Sequence, residues 1–140
     1  MASTYTDNLG IEKIATGEKA GTWGDTTNTN FDLIDEAVDG ADTVDLSATG
    51  TSGSPNTQTI LEGSSSKFRK RFIEVVSTTG DLGGTAFLKL APDNAQKLVF
   101  IKNSLAGSQS LTLSQGTGST TLTVANGKTV LAKFGGEEGS

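Results

Sequence analysis

The stretch NLGIEKIATGEKAGTWGDTTNTNFDLIDEAVDG, residues 8–40, joins two unlike kinds of sequence. Its end, Phe31–Asp39, reads as a helix: Phe31, Ile34 and Val38 fall on one stripe, with Leu33 and Ala37 beside it. Asn30 is the expected N-cap, with Thr29 the alternative, and Gly40 is the expected stop. Asp32 and Asp35 lie near the positive end of the helix dipole, and the acidic face reads most simply as solvated. Before the helix, residues 1–25 read as an extended arm. Gly17, Gly21 and Gly24 interrupt any helical period, and Leu9, Ile11 and Ile14 are the only aliphatic anchors ahead of Trp23. A polar, Gly-punctuated leader needs a surface to lie on, either its own β domain or a neighbouring subunit. Trp23 is expected to fill a pocket in one or the other, because a large ring gains most by burial.

Downstream of the helix the hydrophobic period changes to two. Thr43–Ala48 reads as a first strand with Val44 and Leu46 inward, and Gln58–Leu61 as a short second one. Phe68–Ser77 carries apolar groups on both faces, which implies burial on both sides or an interface on the outer one. Ala86–Leu90 places Ala86, Leu88 and Leu90 on one face; Lys97–Lys102 is the most apolar segment and is expected to be central. Ser110–Ser114 alternates around Leu111 and Leu113, and residues 116–119 are expected to turn. Thr120–Ala125 and Thr129–Lys133 flank Asn126-Gly127, which predicts a type I′ hairpin. These segments predict a mainly β fold: a β-sandwich or jelly roll of about eight short strands. The expected divisions are the arm at 1–25, the helix at 26–40, the β domain at 41–135 and a polar tail at 136–140. No exact internal repeat is visible.

Composition narrows the chemistry. With 140 residues, 34% hydrophobic and 18 Gly, the chain fits one thin-cored domain plus an arm. It has no Cys and no His, which excludes disulfides, Cys/His zinc sites and His-based triads. No Ca²⁺-loop, P-loop or dinucleotide-binding pattern occurs, so no cofactor is expected. The net charge of −5 opposes general nucleic-acid binding. No apolar run reaches membrane-spanning length, and MASTYTDN lacks the basic and apolar regions of a signal peptide. The expectation is a soluble product of the cytoplasm with no membrane partner.

The basic cluster Lys67, Arg69, Lys70 and Arg71 has two readings: a docking site for an acidic partner or phosphate, or a strand start charged on its outer face against edge pairing. Glu62, Glu74, Asp81 and Asp93 offer carboxylates for glycoside hydrolysis, but sequence does not pair any two of them. Abundant strand Thr fits a sugar-binding surface, or simply β-branched residues at outward positions.

The arm and helix, with GTWG at 21–24 and TNTN at 27–30, resemble the start of a group of tailed-bacteriophage virion proteins, of the marine and cyanobacterial phage type. KLVFIKNS at 97–104 and VANGKTVL at 124–131 resemble their later β segments, whereas KFRKR at 67–71 departs from them. The resemblance implies a non-enzymatic structural module on the virion surface, assembled in the host cytoplasm and homotrimeric. Its partners would be the major capsid protein or tail proteins of the same virion. By matching position it implies docking roles for Trp23, Asn28, Asn30 and Phe31. Leu9, Ile11, Lys67, Arg69 and Arg71 join them as candidates from the arm and the basic cluster. The favoured expectation is a capsid decoration (cement) protein; the alternatives are a tail-fibre base, adaptor or baseplate component, and a carbohydrate-binding module. Both a short stand-alone protein and the start of a longer fibre fit the end of the β module.

Overall fold

A computed structural model describes residues 2–116 and 120–135. The expected turn at 116–119 lies mostly, and the polar tail at 136–140 entirely, outside the described residues. Strands β1 (Thr4–Tyr5) and β2 (Glu12–Lys13) pair antiparallel, and helix α1 spans Trp23–Asp39. Eight strands follow: β3 (Ala41–Asp45), β4 (Asn56–Thr59), β5 (Phe72–Val76), β6 (Ala86–Ala91), β7 (Gln96–Ser104), β8 (Leu111–Gln115), β9 (Leu122–Val124) and β10 (Thr129–Gly135). The fold is mainly β, as its alternating sequence predicts.

The strand pairing is not that of a jelly roll. From β3 to β8 the chain crosses to the opposite sheet after every strand. One sheet has the order β10-β7-β5-β3 and the other β4-β6-β8-β9. Within each, successive crossings run parallel: β3 with β5, β5 with β7, β4 with β6, β6 with β8. The chain therefore winds through three stacked coils, each giving one strand to each sheet. The final pair closes the stack antiparallel, β9 on β8 and β10 on β7. A jelly roll would need antiparallel Greek keys instead.

Stacking aligns like positions of successive coils. Val44 lies beside Val75, Ile73 beside Ile101, and Leu88 beside Leu113. These side chains, with Phe68, Leu90, Val99, Leu111 and Val124, form one buried cluster between the sheets. Each coil presents the same inward parity with different residues, so the repeat exists in space without a repeat in sequence.

Polar side chains close the corners. Asn103, fully buried, donates from Nδ2 to the carbonyls of Gln109 and Val124 (both 2.9 Å), while its Oδ1 accepts from Leu105 N–H (3.0 Å). Asn56 Nδ2 reaches the carbonyls of Ala48 and Phe87 at 3.0 and 3.1 Å. Such bonds satisfy loop carbonyls that burial would otherwise leave unpaired.

The structure revises three local expectations. The predicted Asn126-Gly127 hairpin does not form: its flanking strands lie in different sheets. Gly127 alone takes a positive φ (73°), whereas a type I′ turn needs two such residues. The turn's backbone pairs with Asn103 instead, Gly127 N–H to Asn103 C=O at 2.8 Å and Asn103 N–H to Lys128 C=O at 2.9 Å. The predicted strand from Phe68 begins at Phe72, after a 3-10 turn at Lys67–Arg69. Phe68 and Arg69 are adjacent and both fully buried, Phe68 in the core between the sheets and Arg69 beneath the arm. Helix α1 starts at Trp23, with Thr22 and not Asn30 or Thr29 at its cap position, so the arm is shorter than 1–25. On a point the sequence left open, α1 turns Leu33 inward and leaves Phe31, Ile34 and Val38 exposed. Gly40 does end the helix, in extended conformation, because a Cβ there would sit 2.5 Å from the Glu36 carbonyl oxygen.

Candidate assembly surfaces

The first site is the seat of the arm, and Arg69 is its centre. The 3-10 turn folds this side chain into the body, fully buried. Its Nε donates to the Leu9 carbonyl at 2.8 Å; Nη1 and Nη2 donate to the carbonyls of Ser64 and Leu61. Glu36 of α1 lies 3.9 Å from Nη1, and its Oε1 accepts from Ser65. Burial pulls the Arg69 pKa down and the Glu36 charge partly offsets it. Arm, helix and coil loops thus converge on one guanidinium. The fork geometry of Arg suits three fixed carbonyls in a way a single ammonium would not. Arg69 is therefore a structural core residue and not a surface docking group.

Further bonds strap the arm across the coil corners. Gly63 N–H donates to the Gly10 carbonyl at 2.7 Å, and Gln96 N–H donates to Asn8 Oδ1 at 2.8 Å. Gly10 takes φ +61°, and a Cβ there would meet the Leu61 carbonyl oxygen at 2.8 Å. Asn30 holds the helix to the arm: its Oδ1 accepts from Glu12 N–H (3.1 Å) and its Nδ2 donates to the Glu12 carbonyl (2.9 Å). Leu9 and Ile11 are half-buried beside these contacts. The arm lies on its own body, one of the two surfaces its sequence allowed. Lys67 donates to the Thr43 carbonyl at 2.6 Å on the β3 edge, and Lys70 pairs with Asp42 at 2.8 Å, holding that carboxyl below its usual pKa. Arg71 is exposed.

Lys97 lies under the same turn. Its Nζ donates to the Arg69 carbonyl, and burial, with the charges of Arg71 and Arg69, brings its pKa down to about 8.

The second surface is the outward stripe of α1. Trp23 and Phe31 are each 62% exposed, with Ile34 and Val38 in line behind them. On a 3.6-residue helix these four occupy an arc of about 80°. Among the described residues, Trp23 thus fills no pocket. Asn28 is exposed nearby, and Asp25, Asp32, Asp35 and Asp39 flank the stripe on the side away from the body.

The third surface was raised from sequence only for Phe68–Ser77, as an interface on its outer face; its neighbours on β7 and β10 were not singled out. On the outer face of the β10-β7-β5-β3 sheet, Phe72, Phe100 and Leu131 lie side by side across three strands, by register. Leu98 is next along β7 and, like Leu131, is 52% exposed. The available signal was Lys97–Lys102 itself: its apolar residues occupy both parities, as those of Phe72–Val76 do. A shallow open depression of about 240 Å³, lined by Gln96, Lys97, Leu98, Lys133 and Phe134, borders this face. Among the described residues, no three carboxylates converge in a way that could hold a metal ion.

No protein-family model, curated protein or solved structure matches the chain.

Proposed function

We propose that this protein is a non-enzymatic structural component of a bacteriophage virion, most simply a capsid decoration protein. The observation that carries the proposal is the exposed Trp23–Phe31–Ile34–Val38 stripe on a helix locked to a rigid β body. Isolated apolar residues are ordinary on surfaces, but a contiguous aromatic and aliphatic stripe marks a contact surface. The coiled body supplies rigidity, the strapped arm fixes the helix upon it, and the apolar stripe supplies contact area. A decoration protein works by adding buried area across subunit boundaries, which stabilises the assembly through mass action. The GTWG and TNTN motifs support the virion assignment by resemblance; both lie at or within the start of α1. A homotrimer is the proposed state, with the major capsid protein as the partner surface.

A tail-fibre base is the second reading. The 4-3-4 spacing of Thr27, Phe31, Ile34 and Val38 favours it, since this is the spacing of helices that associate along a common seam. Quantitative mass spectrometry of purified virions separates the two. A copy number equal to that of the major capsid protein, or a fixed simple fraction of it, is the expected result. A far lower ratio moves the protein to the tail. Absence from the particle overturns the virion reading altogether.

A further inference from the structure

Two unpartnered apolar faces of the same chain match each other. The helical stripe of Trp23, Phe31, Ile34 and Val38 is bordered on one side by Asp35, with Asp39 next round the helix. The sheet face of Phe72, Leu98, Phe100 and Leu131 is bordered at one end by Lys133 on β10, which lies beside Leu98 in the register, and at the other by the Glu74–Lys102 ion pair. Asp35, Asp39 and Lys133 are exposed. Lengths match as well: a 17-residue helix runs about 25 Å, and the nine-residue β7 about 30 Å.

The two faces do not meet within one chain. Gly40 joins α1 to β3 without a linker, Leu33 is buried, and Asn30 is tied in both directions to Glu12. The helix is held with its stripe facing outward.

We infer that α1 of one copy packs across the outer face of the β10-β7-β5-β3 sheet of the next copy, head to tail. Different patches meet in such a contact, so each chain offers one helix and one sheet. Repetition then closes a ring or extends without limit. A closed ring agrees with the proposed trimer, and the inference rests on that part of the proposed function; the stripe's contact area then joins copies within the ring, and the capsid meets the ring through its other surfaces. Asp35 facing Lys133 favours this direction of the contact, and like-charged alternatives are disfavoured: helix on helix sets Asp35 against its own kind, and sheet on sheet sets Lys133 against its own kind.

The test uses the purified full-length chain and sedimentation-derived mass, with circular dichroism to confirm folding. Wild type is expected to form one discrete ring. Phe31→Glu, which removes the helical half, and Phe100→Glu, which removes the sheet half, should each weaken association at least about tenfold. Mixed together, they should form a one-to-one dimer, through the intact helix of one and the intact sheet of the other. Leu131→Lys replaces Phe100→Glu should the latter unfold. A monomeric wild type overturns the inference. So does full assembly by the Phe100→Glu chain, which would mean helix-to-helix contact, or by the Phe31→Glu chain, which would mean sheet-to-sheet contact. A mixture that stays monomeric well above the wild-type midpoint overturns it too. These outcomes concern the chain alone, so a wrong virion assignment would show in the copy number and not here.

Discussion

The first forty residues and the β body are held by different forces. The body buries aliphatic ladders that continue from coil to coil; ahead of Gly40, the only buried hydrophobic side chain among the described residues is Leu33. What fixes the arm and helix is polar: a buried guanidinium shared among three carbonyls, an asparagine paired with a backbone, and a few amide contacts. Apolar burial is tolerant of small geometric change, because its energy follows area. A buried charge is not, because losing one partner leaves an uncompensated group in a low dielectric. The arm's position is thus set by a few directional bonds, and single substitutions should release it without dissolving the coils.

Arg69→Ala should show the largest effect. It leaves the carbonyls of Leu9, Ser64 and Leu61 unpaired and opens a void beneath the arm, at a cost of about 3–5 kcal/mol. Denaturant unfolding reads the loss, and limited proteolysis reads where it falls. Cleavage confined to the first forty residues upholds the contrast between the regions; cleavage through the coils at equal rate would break it.

Lys97 sharpens the comparison, since its ammonium donates to the Arg69 carbonyl. Its folded pKa of about 8 lies below the usual 10.5, so between those values the unfolded chain binds more protons. Stability contributed through Lys97 therefore rises with pH across that window, by at most about 3 kcal/mol. In thermal melts between pH 8 and 10.5 the wild type should gain relative to Lys97→Met. Parallel profiles would remove Lys97 from the account.

The smallest effect belongs to Trp23→Ala. With the ring 62% exposed, unfolding of the isolated chain should change by no more than about 0.5 kcal/mol. Its self-association or particle incorporation should weaken instead. A large loss of intrinsic stability would return the ring to the chain's own core.

Local pattern made most of the strands legible. Val44, Leu46, Leu88, Leu90, Leu111 and Leu113 all point inward as alternation requires. Pairing was not legible. Asn126-Gly127 is a strong hairpin signal, yet whether its arms pair depends on Asn103, which lies a coil earlier and captures the turn's backbone. Parallel coils leave no mark in a chain whose stacked positions share only hydrophobic character. Of the candidate site, the exposure of Trp23 and Phe31 was open in both directions. Arg69 read as a surface charge because nothing local shows three carbonyls waiting for it. The facing of the helical stripe was open for a related reason: with Leu33 beside Phe31 and Ile34, periodicity shows that a face is apolar but not which flank the body takes.

The crossing of the chain from sheet to sheet makes strand number a unit of length. Each coil adds one strand to both sheets, and neighbouring strands lie about 4.8 Å apart. The separation between the helix-bearing end at β3 and the closing pair β9 and β10 is therefore quantised. Gaining or losing a coil would move the two ends of the molecule apart or together by one such step while leaving both intact. A protein built this way can be lengthened or shortened by whole coils, with no redesign of either end.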